Sequence, residues 1–86
     1  MTQQSFRRKV KSVIDGDTFR LFKPIQGSRT VRIAGLNAPE SNTFAGKKAT
    51  NSLRGKLSRH TVTIKPVAWS YGRIVGQVFN NRRRLR

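Results

Sequence analysis

Cysteine is absent from the 86-residue sequence, so neither a disulfide frame nor a thiolate metal site can support the fold. A single histidine, His60, also excludes a histidine-rich zinc site. Apolar residues make up 35% of the chain, which is enough for a small core built from alternating strands. No apolar run reaches the length of a membrane-spanning helix, and no signal-peptide core follows Met1. Neither membrane insertion nor secretion is indicated.

Acidic residues are nearly absent as well. Three carboxylates, Asp15, Asp17 and Glu40, stand against nineteen Lys and Arg, and the formal charge is +16. Such a field attracts polyanions, and release of their counterions makes the binding salt-dependent. Surfaces that are merely solubilising usually mix both signs of charge. DNA or RNA is therefore the first expected partner and an anionic membrane surface the second. Nothing in the sequence indicates an oligomer.

The three acids are confined to two short segments, Asp-Gly-Asp-Thr at residues 15–18 and Asn-Ala-Pro-Glu at residues 37–40. An isolated Asp-Gly pair is more often a hairpin turn than a site. Here every acid of a very basic chain lies in one of two loop-like segments, each of which ends a stretch with strand character. We therefore expect the carboxylates to be kept where a cation is needed.

Hydrophobic alternation predicts five strands, over residues 7–14, 18–22, 29–36, 60–66 and 73–79. A helix is predicted over residues 44–58, because Ala45, Ala49, Leu53 and Leu57 recur every four residues. Thr43 or Asn42 is its expected cap. Residues 66–72 are expected to form a loop, residues 1–5 to be frayed and residues 80–86 to be a basic tail.

This order predicts one domain over residues 1–86, mainly β in an α+β arrangement. The expected architecture is a five-stranded barrel of the oligonucleotide-binding (OB) type with one helix between strands three and four. An SH3-like barrel is the near alternative.

Three motifs occur in order: Val-Ile-Asp-Gly-Asp-Thr at 13–18, Val-Arg-Ile-Ala-Gly-Leu-Asn-Ala-Pro-Glu at 31–40, and Tyr-Gly-Arg at 71–73. Together they resemble the staphylococcal nuclease (thermonuclease) family over roughly residues 10–79. Each motif alone is weak, but three in the right order are fairly specific. The resemblance implies an OB barrel and a calcium-dependent phosphodiesterase that cuts DNA and RNA.

The resemblance also assigns roles to individual residues. It implies that Glu40 orients or deprotonates the attacking water, while Arg32 and Arg73 hold the phosphate with guanidiniums that never lose their charge. Ca²⁺ would be bound by the residues that match the family's metal ligands. These are the Asp17 carboxylate, the Asn37 amide oxygen and the Ala38 backbone carbonyl.

The remaining assignments concern support and substrate contacts. Asp15 would support the metal-binding loop, and Tyr71 would bond a substrate phosphate. Trp69 is expected either to stack on a base or to pack on the end of the barrel. Lys47 and Lys48, near the start of the helix, would face the polyanion, although solvent exposure explains their position equally well.

Three features depart from the family pattern. The family usually has Asp where this chain has Asn37, which predicts weaker Ca²⁺ binding. The family often has an acid close before Tyr-Gly-Arg, and residues 67–70 supply none here. The two helices that usually follow the fifth strand are not in the sequence, which suggests a minimal member or a fragment. A non-catalytic nucleic-acid-binding module with a weakened metal site is therefore the leading alternative to a nuclease. A protein-interaction module is the third possibility.

Overall fold

The computed structural model describes residues 4–40 and 42–85 and contains six strands and one helix. The strands are β1 (Phe6–Asp15), β2 (Thr18–Ile25), β3 (Ser28–Ile33), β4 (Thr61–Ser70), β5 (Arg73–Asn80) and β6 (Arg83–Leu85). The helix, α1 (Phe44–Leu57), connects β3 to β4. No helix among the described residues combines the length and apolar character needed to cross a bilayer.

Five of the strands close into a barrel. β1 pairs antiparallel with both β2 and β4, and β2–β3 and β4–β5 are also antiparallel pairs. A parallel pairing of β3 with β5, in which Val31 lies opposite Ile74, completes the circle. The predicted five-stranded OB-like barrel, with its helix between the third and fourth strands, is confirmed.

The barrel interior is filled by the residues that the two-residue alternation placed inward. The fully buried side chains include Val31, Ile33, Val62, Ile64, Ile74 and Val78. Phe19 and Leu21 of β2 are fully buried as well. Burying a side chain of this size stabilises the fold by about 1.5–3 kcal/mol relative to leaving it exposed. The alternation of apolar residues therefore determines which face of each strand points into the barrel.

Strict alternation, which would put Val10, Ser12 and Ile14 on one face, fails in β1. A register shift between Val10 and Ser12 marks a β-bulge, and Val13 is buried instead. Ile14 is consequently 44% exposed. A bulge adds one residue to a strand and reverses the faces beyond it, which a strict period of two does not anticipate.

Strand bounds differ from the prediction by more than one residue at three places. β2 continues through Pro24 to Ile25, beyond a register shift. β3 ends at Ile33 rather than at residue 36, because Gly35 (φ +82°) turns the chain. The loop expected over residues 66–72 is wrong: β4 runs to Ser70, since Pro66 lies at a bulge where a strand tolerates proline, and Trp69 pairs with Ile74.

The C-terminal segment is also more ordered than a basic tail over residues 80–86. Asn81 and Arg82 form a tight turn with positive φ values of 51° and 71°. Residues 83–85 then return as β6, with Arg84 opposite Phe79. Two-residue turns of this kind favour hairpins, and Leu85 gains contact with the core. Residues 1–3 and 86, at the ends of the two expected flexible segments, lie outside the described residues.

Helix α1 begins as expected at a threonine cap, because the Thr43 hydroxyl accepts a hydrogen bond from Gly46 N–H at 2.9 Å. Its buried face contains Leu53 and Leu57 as predicted. At the start of the helix the prediction is off by one residue, since Gly46 is buried and Ala45 exposed. The helix packs against β1 and thereby against the turn that follows it.

Gly16, in the β1–β2 turn, is packed against two other segments. A Cβ added there would lie 2.7 Å from the Cβ atoms of both Ala38 and Ala49. We expect Gly16→Ala to lower the free energy of unfolding by about 1–3 kcal/mol, because the turn, the 36–40 segment or α1 must move. Denaturant unfolding measures this.

Gly55 provides the matched control for that substitution. It lies in α1 with nothing within 4 Å of the added Cβ. Gly55→Ala should therefore raise the free energy of unfolding by about 0.5–1 kcal/mol through helix propensity. Equal effects of the two substitutions would show that the close packing of Gly16 does not constrain the turn.

Candidate catalytic and cation-binding site

The β1–β2 turn holds the Asp17 carboxylate in a fixed position. Asp15 Oδ1 accepts a hydrogen bond from Asp17 N–H at 3.1 Å. The Thr18 hydroxyl donates to Asp17 Oδ1 at 3.0 Å. Thr18 alternates with the buried Phe19 and Leu21 along β2, yet it is itself only 2% exposed, and its hydroxyl has a structural role that the alternation does not indicate. A hydroxyl directly after the acid was the available signal for it.

The second acidic segment reaches the first through its backbone. Ala38 N–H donates to Asp17 Oδ2 at 3.4 Å, across a separation of 21 residues. At the far end of this segment, both the hydroxyl and the N–H of Thr43 donate to the Glu40 carbonyl, at 2.7 and 3.0 Å. The 37–40 segment is therefore anchored to the turn on one side and to the start of α1 on the other.

Arg32 lies between the two segments. It is opposite Thr18 in the β2–β3 register, which directs its side chain outward beside the turn. Its Nη2 donates to Asn37 Oδ1 at 3.0 Å and lies 3.5 Å from Asp17 Oδ2. Two oxygens from separate segments thus converge on one cationic group. This contact between Arg32 and Asn37 was not anticipated from the sequence.

The two aspartates of the turn have opposite pKa shifts. Burial raises the pKa of Asp15, and the neighbouring Asp17 adds to this rise. Burial acts on Asp17 in the same direction. Hydrogen bonds that involve Asp15, Thr18 and Ala38 outweigh that effect, the charge of Arg32 acts with them, and the pKa of Asp17 is lowered. The surroundings therefore favour the ionised form of Asp17 over that of Asp15, which suits Asp17 as the cation ligand.

Arg73 lies on the strand beside Arg32. The parallel register sets Arg32 opposite Val75, so Arg73 is two residues away on the same outward face, about 7 Å along β5. Its Nε donates to Ser70 O at 3.5 Å. Tyr71, at the tip of the β4–β5 turn, is 95% exposed, and Trp69 is half exposed on β4. Both aromatic rings are accessible to a ligand near the β4–β5 turn.

The other expected site residues are less closely connected. Glu40 is exposed, and among residues 4–40 and 42–85 its carboxylate makes no hydrogen bond or ion pair. Lys47 and Lys48 are exposed on the first half of α1, and no hydrogen bond or ion pair within the described chain joins them to the Asp17–Arg32–Asn37 cluster. The structure thus connects Asp17, Asn37, Ala38 and Arg32 directly and does not connect the two lysines with them.

No group of three or more His, Cys, Asp or Glu side chains within the described ranges is arranged to hold a metal ion. The oxygens available near Asp17 are of other kinds, namely the Asn37 amide oxygen and the Ala38 backbone carbonyl. These are hard donors of the type that Ca²⁺ takes, with one carboxylate among them. The donor chemistry fits a weakly held Ca²⁺ and excludes a thiolate or imidazole site.

Comparison with known proteins adds a separate line of evidence. No family model matches the chain. Over 84 residues it is 36% identical to Endonuclease YhcR of Bacillus subtilis (strain 168), an alignment that covers 80% of this chain and 7% of that protein. It is 32% identical over 72 residues to an uncharacterized endonuclease of Escherichia coli and 31% identical to one of E. coli O157:H7. Each of these two alignments covers 83% of this chain.

The chain spans less than half the length of the two E. coli relatives, 46% in each case, and a small part of the B. subtilis protein. Its similarity to them nevertheless extends over most of its own barrel and helix. Over most of its length, this chain is thus similar to proteins that bear the name endonuclease.

Proposed function

We propose that this chain is a nuclease domain of the staphylococcal nuclease type, which binds DNA or RNA and hydrolyses phosphodiester bonds with Ca²⁺. The observation that carries the proposal is the hydrogen bond from Ala38 N–H to Asp17 Oδ2, because it brings both acidic segments of a +16 chain to one end of the barrel. The endonuclease names of the relatives point to the same class of reaction.

In this proposal the phosphate is bound by guanidiniums. Arg32 and Arg73 lie on adjacent strands, face outward and are two residues apart in the parallel register. Their planar forks can each bond two phosphate oxygens and stabilise the charge that grows on them in the transition state. To do so, Arg32 must turn from Asn37 Oδ1 and Asp17 Oδ2 toward the substrate.

Glu40 supplies the base. Its carboxylate is exposed and unpaired within the described residues, so it is free to accept a proton from an attacking water or to orient it. Its backbone is held by Thr43, which limits how far the side chain can move. Asp17, Asn37 and the Ala38 carbonyl would bind Ca²⁺, which when bound supplies a positive charge next to the phosphate.

A non-catalytic nucleic-acid-binding module is the second candidate, and one observation favours it. Arg32 already lies between Asp17 and Asn37, where a bound cation would contact the same two oxygens. A metal ion must displace that guanidinium, and the side-chain ligands it gains there are one carboxylate and one amide. If it cannot, the barrel binds nucleic acid through its charge and does not cleave it.

Digestion of supercoiled plasmid and of single-stranded RNA separates the two candidates. We expect cleavage in Ca²⁺ and none when EGTA replaces it, with oligonucleotide binding retained in both conditions. Binding without cleavage at any Ca²⁺ concentration would reject the nuclease and support the binding module. The protein with Glu40→Gln serves as the control for contaminating nuclease.

A further inference from the structure

A second concave site lies away from the candidate catalytic cluster. It is a cavity of about 340 Å³ on the outer surface of β1, β4 and β5. Its walls carry three cations, two threonine hydroxyls and one aromatic ring, from Arg7, Lys65, Arg82, Thr61, Thr63 and Phe79. Hydroxyls and cations are donors to phosphate oxygens, and the ring offers an apolar face. We refer to it below as the β4 pocket.

The strand register explains why these residues meet. Arg7 pairs with Thr63, Thr63 with Phe79, and Phe79 with Arg84, so one row of outward side chains crosses four strands. Lys9 lies two residues beyond Arg7 and Lys65 two residues beyond Thr63, so both lie on the same face as this row. The row therefore presents cations at both edges and the aromatic ring between them.

No carboxylate side chain neutralises this surface. All three acids of the chain lie in the β1–β2 turn and the 37–40 segment, and the one side-chain ion pair among the described residues is Arg32–Asp17. Within the β4 pocket, the partner of Lys65 is an aromatic ring, since its Nζ lies 5.2 Å from the centroid of Phe79. Such a group of unneutralised cations attracts an anion from outside the chain.

The β4 pocket and Arg73, one of the proposed catalytic residues, lie along the same strand. Arg73 and Phe79 share the outward face of β5 and are six residues apart, which is about 20 Å at the usual strand rise. About six phosphates of a strand with B-form spacing cover that distance. Val75 and Gln77, which lie between them on the same face, carry no charge that would repel a phosphate chain.

We infer that the β4 pocket is a second binding site for nucleic acid, which takes the phosphates and an unpaired base of a single strand. Phosphates contact Arg7, Lys65 and Arg82, and a base stacks on Phe79. The inference of nucleic acid as the polyanion rests on the proposed function. Binding at the β4 pocket does not require cleavage, however, so the two can fail independently.

The test compares two triple variants that each remove three positive charges. The first is Arg7→Gln/Lys65→Gln/Arg82→Gln in the β4 pocket. The matched control is Arg54→Gln/Lys56→Gln/Arg59→Gln, on exposed positions at the C-terminal end of α1 and directly after it. Affinity for a labelled 15-nucleotide single strand is measured by fluorescence anisotropy in EGTA over a range of salt, after thermal unfolding shows both variants folded.

We expect the pocket variant to bind about tenfold or more weakly near physiological salt, and the control less than threefold. Each lost contact to a single strand should reduce the slope of log K against log salt by about 0.7, so the pocket variant should lose about two units. Phe79→Leu, which keeps an apolar side chain, should weaken single-strand binding by fivefold or more and leave duplex binding unchanged.

Three outcomes would overturn the inference. Equal losses in the two triple variants would mean that only the overall charge attracts the strand. An unchanged affinity of Phe79→Leu for the single strand would remove the base from the β4 pocket. Dextran sulfate is added as a competitor of the labelled strand. If the concentration that displaces the strand is the same for the parent protein and for every variant, the site takes any polyanion. If the variants bind as expected but the protein does not digest plasmid, the inference of nucleic-acid binding at the β4 pocket is supported and the proposed nuclease activity is rejected.

Discussion

Replacing Glu40 with Gln should reduce hydrolysis by about 10²–10⁴-fold, the usual contribution of a positioned general base, while oligonucleotide affinity stays within threefold. The structure gives a specific reason to expect this separation. The Glu40 carboxylate is exposed and makes no hydrogen bond or ion pair within the described residues, so its loss removes no contact that supports the fold. The anchor of this segment is the backbone carbonyl, which Gln retains.

Arg73→Ala should reduce hydrolysis by about 10²–10³-fold through loss of a donor to the charged transition state. Lys56→Ala is its control, because it removes one exposed cation from the last turn of α1 and belongs to neither proposed nucleic-acid site. Initial rates of plasmid or RNA cleavage and anisotropy titrations on the same preparations provide both readouts. If activity and binding fall together in Glu40→Gln or Arg73→Ala, these residues serve attraction or folding and the proposed catalytic roles are wrong.

The sequence predicted the parts of the fold that depend on side-chain period alone. Val31, Ile33, Ile64 and Val78 are buried because inward positions alternate along regular strands. The errors lie where a bulge changes the period or where pairing overrides composition. The bulge in β1 exposes Ile14, and pairing with β5 extends β4 past Pro66.

For the candidate site, the resemblance assigned Asp17 and Asn37 to the metal and Arg32 to the phosphate. The structure places Arg32 within hydrogen-bond or ion-pair distance of both residues, and the three roles stay predictions. That Arg32 contacts Asn37 depends on side-chain conformation, which no sequence pattern specifies. The β4 pocket was not predicted because Arg7 and Phe79 meet only through the cross-strand register of β1, β4 and β5.

Asn37→Asp should tighten Ca²⁺ binding by about tenfold or more and raise any nuclease activity. The substitution replaces a neutral oxygen donor by an anionic one of nearly the same size, so the 37–40 segment need not rearrange. At 4 Å, one added charge pair contributes up to about 4 kcal/mol at the effective dielectric near a protein surface. A third of that value already corresponds to about a tenfold change in Kd.

The contact between Arg32 and position 37 limits how much Ca²⁺ affinity the substitution gains. In the metal-free protein its Nη2 donates to Asn37 Oδ1, and a carboxylate at position 37 would hold the guanidinium more strongly. Ca²⁺ carries two charges and contacts oxygen at about 2.3–2.6 Å, against 3.0 Å for this hydrogen bond, so the new carboxylate favours the metal ion more than the guanidinium. The Asp variant should therefore gain affinity despite the competition.

Asn51→Asp is the control for the charge change. Asn51 is exposed on α1, and its Oδ1 also accepts a hydrogen bond from an arginine, Arg54 Nη1 at 2.8 Å, so the two substitutions alter matching local contacts. Calorimetric titration with Ca²⁺ compares both variants with the parent protein. Tighter binding only in Asn37→Asp places position 37 at the metal site. If the two variants bind Ca²⁺ equally, the added charge acts through the general field, Asn37 is not a ligand, and the non-catalytic binding module becomes the better description.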